Sequence, residues 1–413
     1  MYRICMISQS SHPDPRVRRE AEALSAKGYE VDIICYGDLK SEPKKESFDN
    51  FTVYRILVKI KFESVIKYFL ESIRFFIWAF VKLQYLSVTR GYDLIQIHNM
   101  PDFHVFTAIL QKLNGVPVVL DLHDLTPELF ESKWGENKNS SILSIVKFIE
   151  RASCRFSNQL ITVTDACKEN LTNRGIQQEK ITIIMNTPDN KIFTYDKSRD
   201  FKVIKKGAKL IYHGTVAERF GLHIIIKALQ YINNRVPGSS LTIYGGYDNS
   251  YKLSLENQIK ELGLEDNVHL LGIHSLEEIY DFIKKSDFGV VPYMDNLYMN
   301  LALSTKMFEY NASLLPVVAS KLRSFSKIFN NESIAFTHPG NSLDMADKII
   351  KLCFNPDKRR MLAENAFITL QNISWQVMSD RFVKIIDSTI TDSQRAQKIL
   401  LHTQNRALGR RLL

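Results

Sequence analysis

No two of the five cysteines (Cys5, Cys35, Cys154, Cys167 and Cys353) stand at a metal-binding or disulfide-framework spacing. That argues against a zinc site or a disulfide scaffold and for a reducing compartment. No G-x-G-x-x-G follows any apolar run, so a two-domain dehydrogenase is disfavoured. Zinc-finger spacing and the RNA-recognition aromatic pair are both missing, so nucleic acid is not an expected partner despite a formal net charge of +9. That charge is spread along the chain, apart from a cluster at Arg406, Arg410 and Arg411, and suits phosphorylated substrates or an acidic membrane surface. The chain opens MYRICMISQS, which enters a strand directly, so no signal peptide is expected. The uncharged stretch 75–81 is far too short to span a bilayer.

What is there is a chain of 413 residues, 45% hydrophobic, too long for one ordinary core. Short apolar runs alternate with helical patterns. The pattern predicts strands over 2–8, 31–36, 94–98, 116–120 and 159–163, with helices over 17–27, 103–113 and 141–156. It lapses in the polar stretch KSRDFKVIKKGAK and then restarts. Strands follow over 209–213, 240–244, 268–271, 288–292 and 317–320, with helices over 221–232, 276–285 and around 308–312. This predicts an α/β fold of two Rossmann-like, doubly wound parallel-sheet domains facing a cleft. The expected domains are 1–198 and 199–373, with a last helix at 374–390 crossing back and a frayed basic tail at 391–413.

The most telling stretch is STKMFEYNASLLPVVAS, residues 304–320. Ser304 and Thr305 can cap a helix whose free N–H groups form an anion site. Glu309 lies a little over one turn in, where a carboxylate can reach a ribose. Lys306 sits in the first turn, where a cation is unfavourable unless an anion binds; the plain alternative is a lysine reaching out to water. In IYHGTVAERFGL, Gly214 allows close backbone approach and Arg219 offers a charged fork to a diphosphate. TIYGGYDN and LLGIH place glycines, Gly272 among them, just after strands, where a flat base or a simple tight turn fits equally well.

The first half has its own candidates. SHPDPRVRREAEAL puts Asp14, Arg16 and Arg19 after the first strand, either as site residues or as a solvated helix start. His98 ends a buried strand. In VVLDLHDLTPELF, Asp121, His123, Asp124 and Glu128 cluster at a strand end, where a histidine and a carboxylate can carry and orient a proton or hold sugar hydroxyls. A metal there would need a third ligand at fixed spacing, and none is evident. The aromatic run 62–86 carries Lys67, Glu71, Arg74 and Lys82 and admits two readings: a core helix pair, or an interfacial surface with cations at lipid headgroups.

Taken together, DPRVRREAEAL–GYEV, LDLHDLTPE, YHGTVAERFGL and KMFEY–NASLLPVVAS resemble, in this order along the chain, the retaining glycosyltransferases of family four, which have the two-Rossmann GT-B fold. The resemblance covers roughly residues 1–390. It implies transfer of a sugar from a nucleoside diphosphate sugar, the co-substrate, with retention and without a metal or other cofactor. By the same resemblance Glu309 holds the donor ribose and His123 lines the sugar site, with Asp124 beside it. Arg219, Lys306 and the helix start at Ser304 and Thr305 meet the diphosphate, with Gly214 and Gly272 along the donor. The acceptor falls to the first domain, near Asp14, Arg16 and His98. Leu301 stands where the family has the first glutamate of its pair, with Asn300 as a neighbour that can substitute. The expected setting is cytoplasmic, peripheral on the inner face of the cell membrane, with a lipid-linked glycan acceptor in bacterial cell-surface polysaccharide assembly. A non-catalytic nucleotide-sugar-binding assembly partner is the alternative.

Overall fold

The computed structural model describes residues 1–11, 14–37, 41–49, 51–56, 65–134, 140–196 and 198–409. It divides into two compact units, residues 1–184 with 378–413, and residues 185–377.

The first unit is built on β1 (Arg3–Ser11), β2 (Glu30–Tyr36), β3 (Lys45–Ser47), β4 (Phe51–Arg55), β5 (Leu94–His98), β6 (Val118–Leu122), β7 (Gln159–Thr162) and β8 (Ile181–Ile183). They form one sheet in the order β3-β4-β2-β1-β5-β6-β7-β8, parallel except for the β3–β4 pair. β5 and β6 are buried along their whole length, as strands covered on both faces must be. The helices are α1 (Pro15–Ala26), α2 (Val65–Arg90), α3 (Ile109–Leu113), α4 (Thr126–Trp134), α5 (Ser140–Phe156) and α6 (Asp165–Asn173). A 3₁₀ run, Asp102–Ala108, precedes α3 where a continuous helix over 103–113 was expected.

Two other expectations change here. The aromatic run is one helix rather than a pair, because α2 contains neither glycine nor proline to break it, and its expected start at 62–64 lies outside the described residues. β6 begins at Val118, two residues later than expected, because Pro117 has no N–H for the ladder. Asp121 is therefore inside the strand, in register with His98 of β5.

The second unit holds β9 (Lys209–His213), β10 (Ser240–Tyr244), β11 (Val268–Leu271), β12 (Phe288–Val291), β13 (Val317–Ser320) and β14 (Ala335–Thr337). Their order is β11-β10-β9-β12-β13-β14, all parallel. The winding reverses between β9 and β12, and ligands of doubly wound sheets bind past the carboxyl ends of strands at such a point. The helices are α7 (Leu222–Asn233), α8 (Asn249–Glu261), α9 (Leu276–Lys284), α10 (Thr305–Ala312), α11 (Arg323–Ser326), α12 (Ser342–Cys353) and α13 (Pro356–Gln371).

The last helix, α14 (Trp375–Gly409), does not fray after Thr391 as expected. Ser393 and Gln397 both donate to the Gly115 carbonyl, at 2.9 and 2.8 Å, which gives the helix a surface to run along. Each sheet ends in strands of three or four residues: β3 and β8 in the first, β11 and β14 in the second.

Candidate active site

In the first unit a polar cluster forms beneath the carboxyl ends of β5 and β6. Arg16, on the first turn of α1, is only 3% exposed. Its guanidinium donates to both oxygens of Asp121, at 3.1 and 3.0 Å, and to the Ile184 carbonyl at 3.0 Å. Glu20, one turn on, lies 3.0 Å from the Arg16 Nε and accepts from Gln96 at 2.8 Å. His98 Nδ1 and His123 Nε2 are 3.1 Å apart, and each is 3.4 Å from the Asp121 carboxylate. Of these groups His123 alone reaches the surface, with about a quarter of its side chain exposed (23%). Its backbone N–H donates to Asn99, whose amide in turn donates to Asp102 and to the Asp124 carbonyl, so the turn after β6 is clamped.

The electrostatics follow from burial and one cation. Burial alone pushes the Asp121 carboxyl up, but Arg16 and the two imidazoles reverse this and hold it well below the usual carboxylate range. Burial, and then the charge of Asp121, push Glu20 well above it. Of the two, Glu20 is therefore the carboxyl that takes up a proton first. Burial also lowers His98, which is neutral near pH 7 and can relay a proton or orient His123.

His98, Asp121 and His123 each offer a ligand atom within 4.8 Å of the others, so the fold supplies the third metal-type ligand that spacing did not show. Both oxygens of Asp121 already accept from Arg16, which favours the hydrogen-bonded arrangement.

In the second unit the site lies past β9 and β12. Lys306 is buried, 7% exposed, and does not reach out to water. Its ammonium stands 4.9, 5.1 and 5.0 Å from the ring centroids of Tyr212, Phe220 and Tyr293, and donates to the Tyr293 hydroxyl at 2.6 Å. Among the described residues it has no carboxylate partner. Gly214, at φ 110°, makes room for it: a Cβ there would sit 3.0 Å from the Lys306 Cε. Gly221 likewise lets α7 start against Pro292, whose carbonyl a Cβ would meet at 2.0 Å.

Ser304 occupies the N-cap position of α10 but makes no capping bond, against expectation; its hydroxyl lies 3.3 Å from that of Tyr293. The Thr305 and Lys306 amides at the helix start are thus left for a ligand, while that of Met307 donates to the Ser304 carbonyl. Glu309 is buried with one oxygen 3.0 Å from His213 Nε2 but without the alignment of a hydrogen bond, so both atoms stay unpaired. Arg219 is half-buried over Phe220, its Nε likewise unpaired. Gly272 is open, with nothing within 4 Å of where a Cβ would be.

The structure thus brings Gly214, Arg219, Ser304, Thr305, Lys306 and Glu309 to one sheet edge, with Gly272 at the end of β11. It brings His98 and Arg16 to His123, but behind it. Both are buried, so they act on the site through Asp121 and His123 rather than by touching an acceptor. Asp14 caps α1 by accepting from the Arg16 N–H at 2.9 Å. The carboxylate against His123 is that of Asp121, while Asp124 contributes its carbonyl to the clamp. Asn300 does not replace the missing glutamate, since its amide donates to Asp295 and its oxygen accepts from the Arg323 N–H. Sequence reasoning missed Glu20, Gln96, Tyr212 and Tyr293. A glutamine in the middle of a buried strand was the readable signal for the first two.

Comparison with known proteins gives the family. Residues 195–368 match the family model described as Glycosyl transferases group 1, and residues 16–189 that of Glycosyltransferase Family 4. A chitobiosyldiphosphodolichol beta-mannosyltransferase of Candida glabrata is 22% identical over 402 residues, covering 88% of this chain and 86% of that one. Among solved structures, sucrose-phosphate synthase from Thermosynechococcus elongatus superposes with a TM-score of 0.74 at 16% identity, covering 95% of this chain and all of that one. HepE of Anabaena, in complex with UDP, gives 0.69 at 18% identity over 94% of this chain and all of that one. Each half of the chain meets its own glycosyltransferase model, and the chain belongs to the two-Rossmann (GT-B) glycosyltransferases of group 1 and family 4, enzymes that use a nucleotide sugar.

Proposed function

We propose that this enzyme transfers a hexose, with retention and without a metal, from a nucleoside diphosphate sugar to a lipid-linked glycan in bacterial cell-surface polysaccharide assembly. The observation that carries the donor half is Lys306, a buried cation with no carboxylate partner among the described residues, beside an uncapped helix start. Such charge is costly to bury unless an anion completes it. The departing diphosphate is that anion, met by Lys306, Arg219 and the Thr305 and Lys306 amides of α10. These groups supply the positive charge a metal would otherwise bring. Glu309 takes the ribose hydroxyls with the carboxylate oxygen that does not face His213. His123, oriented by Asp121 and His98, serves the transferred sugar and the acceptor hydroxyl. The UDP bound to the Anabaena protein supports a nucleoside diphosphate donor.

A lipid-linked acceptor is supported by the name of the Candida relative and by one face of the first unit. α2, α3 and α5 follow crossovers that run the same way along the sheet, which puts them on the same side of it. They expose Trp78 (52%), Val81, Tyr85, Leu113 and Phe148 (70%). The acids on these helices, Glu71 and Glu150, are buried and paired with Arg74 and Arg174. Lys67, Lys82, Lys112, Arg151 and Arg155 on the same helices add positive charge. An apolar face on helices that carry cations suits the peripheral surface of an anionic bilayer. Among the described residues no helix is long and apolar enough to cross a membrane.

Two experiments test this. In a nucleotide-release assay over a panel of nucleotide sugars, Glu309→Ala should raise the donor dissociation constant about tenfold or more, the scale of a lost charged hydrogen-bond pair; wild-type donor binding would defeat the ribose assignment. His123→Ala should cut turnover with little loss of fold. Flotation with anionic vesicles should carry the protein to the top of the gradient, and absence of binding would sink the membrane reading.

A further inference from the structure

Tyr293 follows β12 by two residues and is buried between Phe220 and Phe325, with ring centroids at 5.1 and 5.7 Å. Its ring forms one wall around the Lys306 ammonium, and its hydroxyl touches two groups of the diphosphate site. Lys306 has three donors and no acceptor, so the Tyr293 oxygen must accept from it across the 2.6 Å contact. The phenolic proton is then available to Ser304 Oγ, 3.3 Å away. Ser304 in turn makes no cap bond to α10. With its oxygen serving Tyr293, its own proton is free.

We propose that Tyr293 is a positioning residue of donor binding. It accepts one of the three Lys306 N–H bonds and donates its own O–H hydrogen bond to Ser304 Oγ, leaving two lysine donors and the serine hydroxyl for the diphosphate. This rests on the diphosphate reading of the Lys306 site. It explains two features that reading leaves open: a serine at an N-cap position that does not cap, and a buried lysine whose neighbours are aromatic rather than acidic. The aromatic walls hold the cation without neutralising it. The hydroxyl sets its direction.

The test is calorimetric binding of UDP, GDP and dTDP to the full-length wild type, Tyr293→Phe, Ser304→Ala, the double variant and Lys306→Met. Tyr293→Phe keeps the ring and removes only the hydroxyl. Its Kd for whichever nucleotide binds should rise about tenfold, with Tm within about 2 °C of wild type. Ser304→Ala should cost a similar factor, and the double variant no more than the worse single, because both act on one chain of hydrogen bonds. Multiplying losses would overturn the relay. Wild-type affinity in Tyr293→Phe, with binding lost in Lys306→Met, would overturn the role of Tyr293 and leave the diphosphate reading standing. Wild-type affinity in Lys306→Met, or no nucleotide bound by the wild type, would remove the diphosphate reading and this proposal with it. Should Tyr293→Phe fail to fold, Ser304→Ala decides, and unchanged affinity there refutes the relay.

Discussion

Replacing Arg16 by methionine keeps the aliphatic stem and removes the one guanidinium that, among the described residues, bonds to Asp121 in the His98–Asp121–His123 cluster. In the native protein that group makes two bonds to Asp121 and one to the Ile184 carbonyl, and lies 3.0 Å from Glu20. Its loss leaves an uncompensated buried carboxylate, which costs about 3–5 kcal/mol, within which the stranded carbonyl accounts for about 1. The pH dependence carries a sign. Asp121 is depressed in the folded state, so its contribution is present above about pH 4 and is lost as pH falls through its folded value. Without Arg16 only the two imidazoles oppose the upward push of burial on Asp121, so Arg16→Met should lose less stability than the wild type as pH falls from 7 to 5. Adding Asp121→Asn removes the stranded charge and should recover most of the loss. Glu20→Gln alone should cost under about 1 kcal/mol at pH 7, because burial and Asp121 already push Glu20 toward its neutral form. Urea unfolding of the full chain, followed by circular dichroism and tryptophan fluorescence at pH 5 and 7, measures all four. A loss below about 1 kcal/mol for Arg16→Met at pH 7, or a double variant no better than the single, would refute the assignment of the charge to Asp121.

Two further outcomes follow from the packing. Leu314 holds φ at 52°, a left-handed conformation that strains a leucine by about 1–2 kcal/mol, yet its side chain is buried. Leu314→Gly should therefore be less destabilising than Leu314→Ala by about 1 kcal/mol in thermal unfolding, the reverse of the usual order; a more stable alanine variant would contradict the strain. Burial pushes Glu150 up to about 7 against the pull of Arg174, and Asp102 up to about 6. Raised carboxyls contribute stability that is full below about pH 4 and lost as pH rises through the folded values. Unfolding free energy should thus fall by about 2–3 kcal/mol between pH 5 and 8 from Glu150 alone, and Glu150→Gln should flatten the slope.

Strands β5, β9, β10, β11 and β13 were legible to the residue; β5, β9 and β13 are runs buried on both faces, and all five are bounded by polar or turn residues. Phe51–Arg55 shows no such run: threonine and arginine interrupt it, and pairing with β2 makes it a strand. The donor site was legible where it is local, as in the spacing of Ser304, Lys306 and Glu309 along one helix. It was illegible where it depends on convergence. Nothing local in the sequence says that Tyr212, Phe220 and Tyr293 surround Lys306, and the first-turn position alone left it free to face water. Likewise Arg16 is one basic residue among several in DPRVRREAEAL, and only the packing of α1 in the folded unit shows that it meets Asp121.

The short strands that close each sheet bear on how copies of this chain can meet. An exposed edge templates growth only when it offers a long row of unpaired amides and carbonyls. Here β3, β8 and β14 offer three residues and β11 four, and β3 carries Lys45 and Glu46 besides. Runaway edge-to-edge polymerisation is therefore starved of a template in both units. Any self-association must go through side chains, and the surface with most to gain is the apolar one on α2, α3 and α5. In detergent-free solution at high concentration, that surface should govern the solubility of the protein, and a single lysine introduced there should improve it more than any change at a sheet edge.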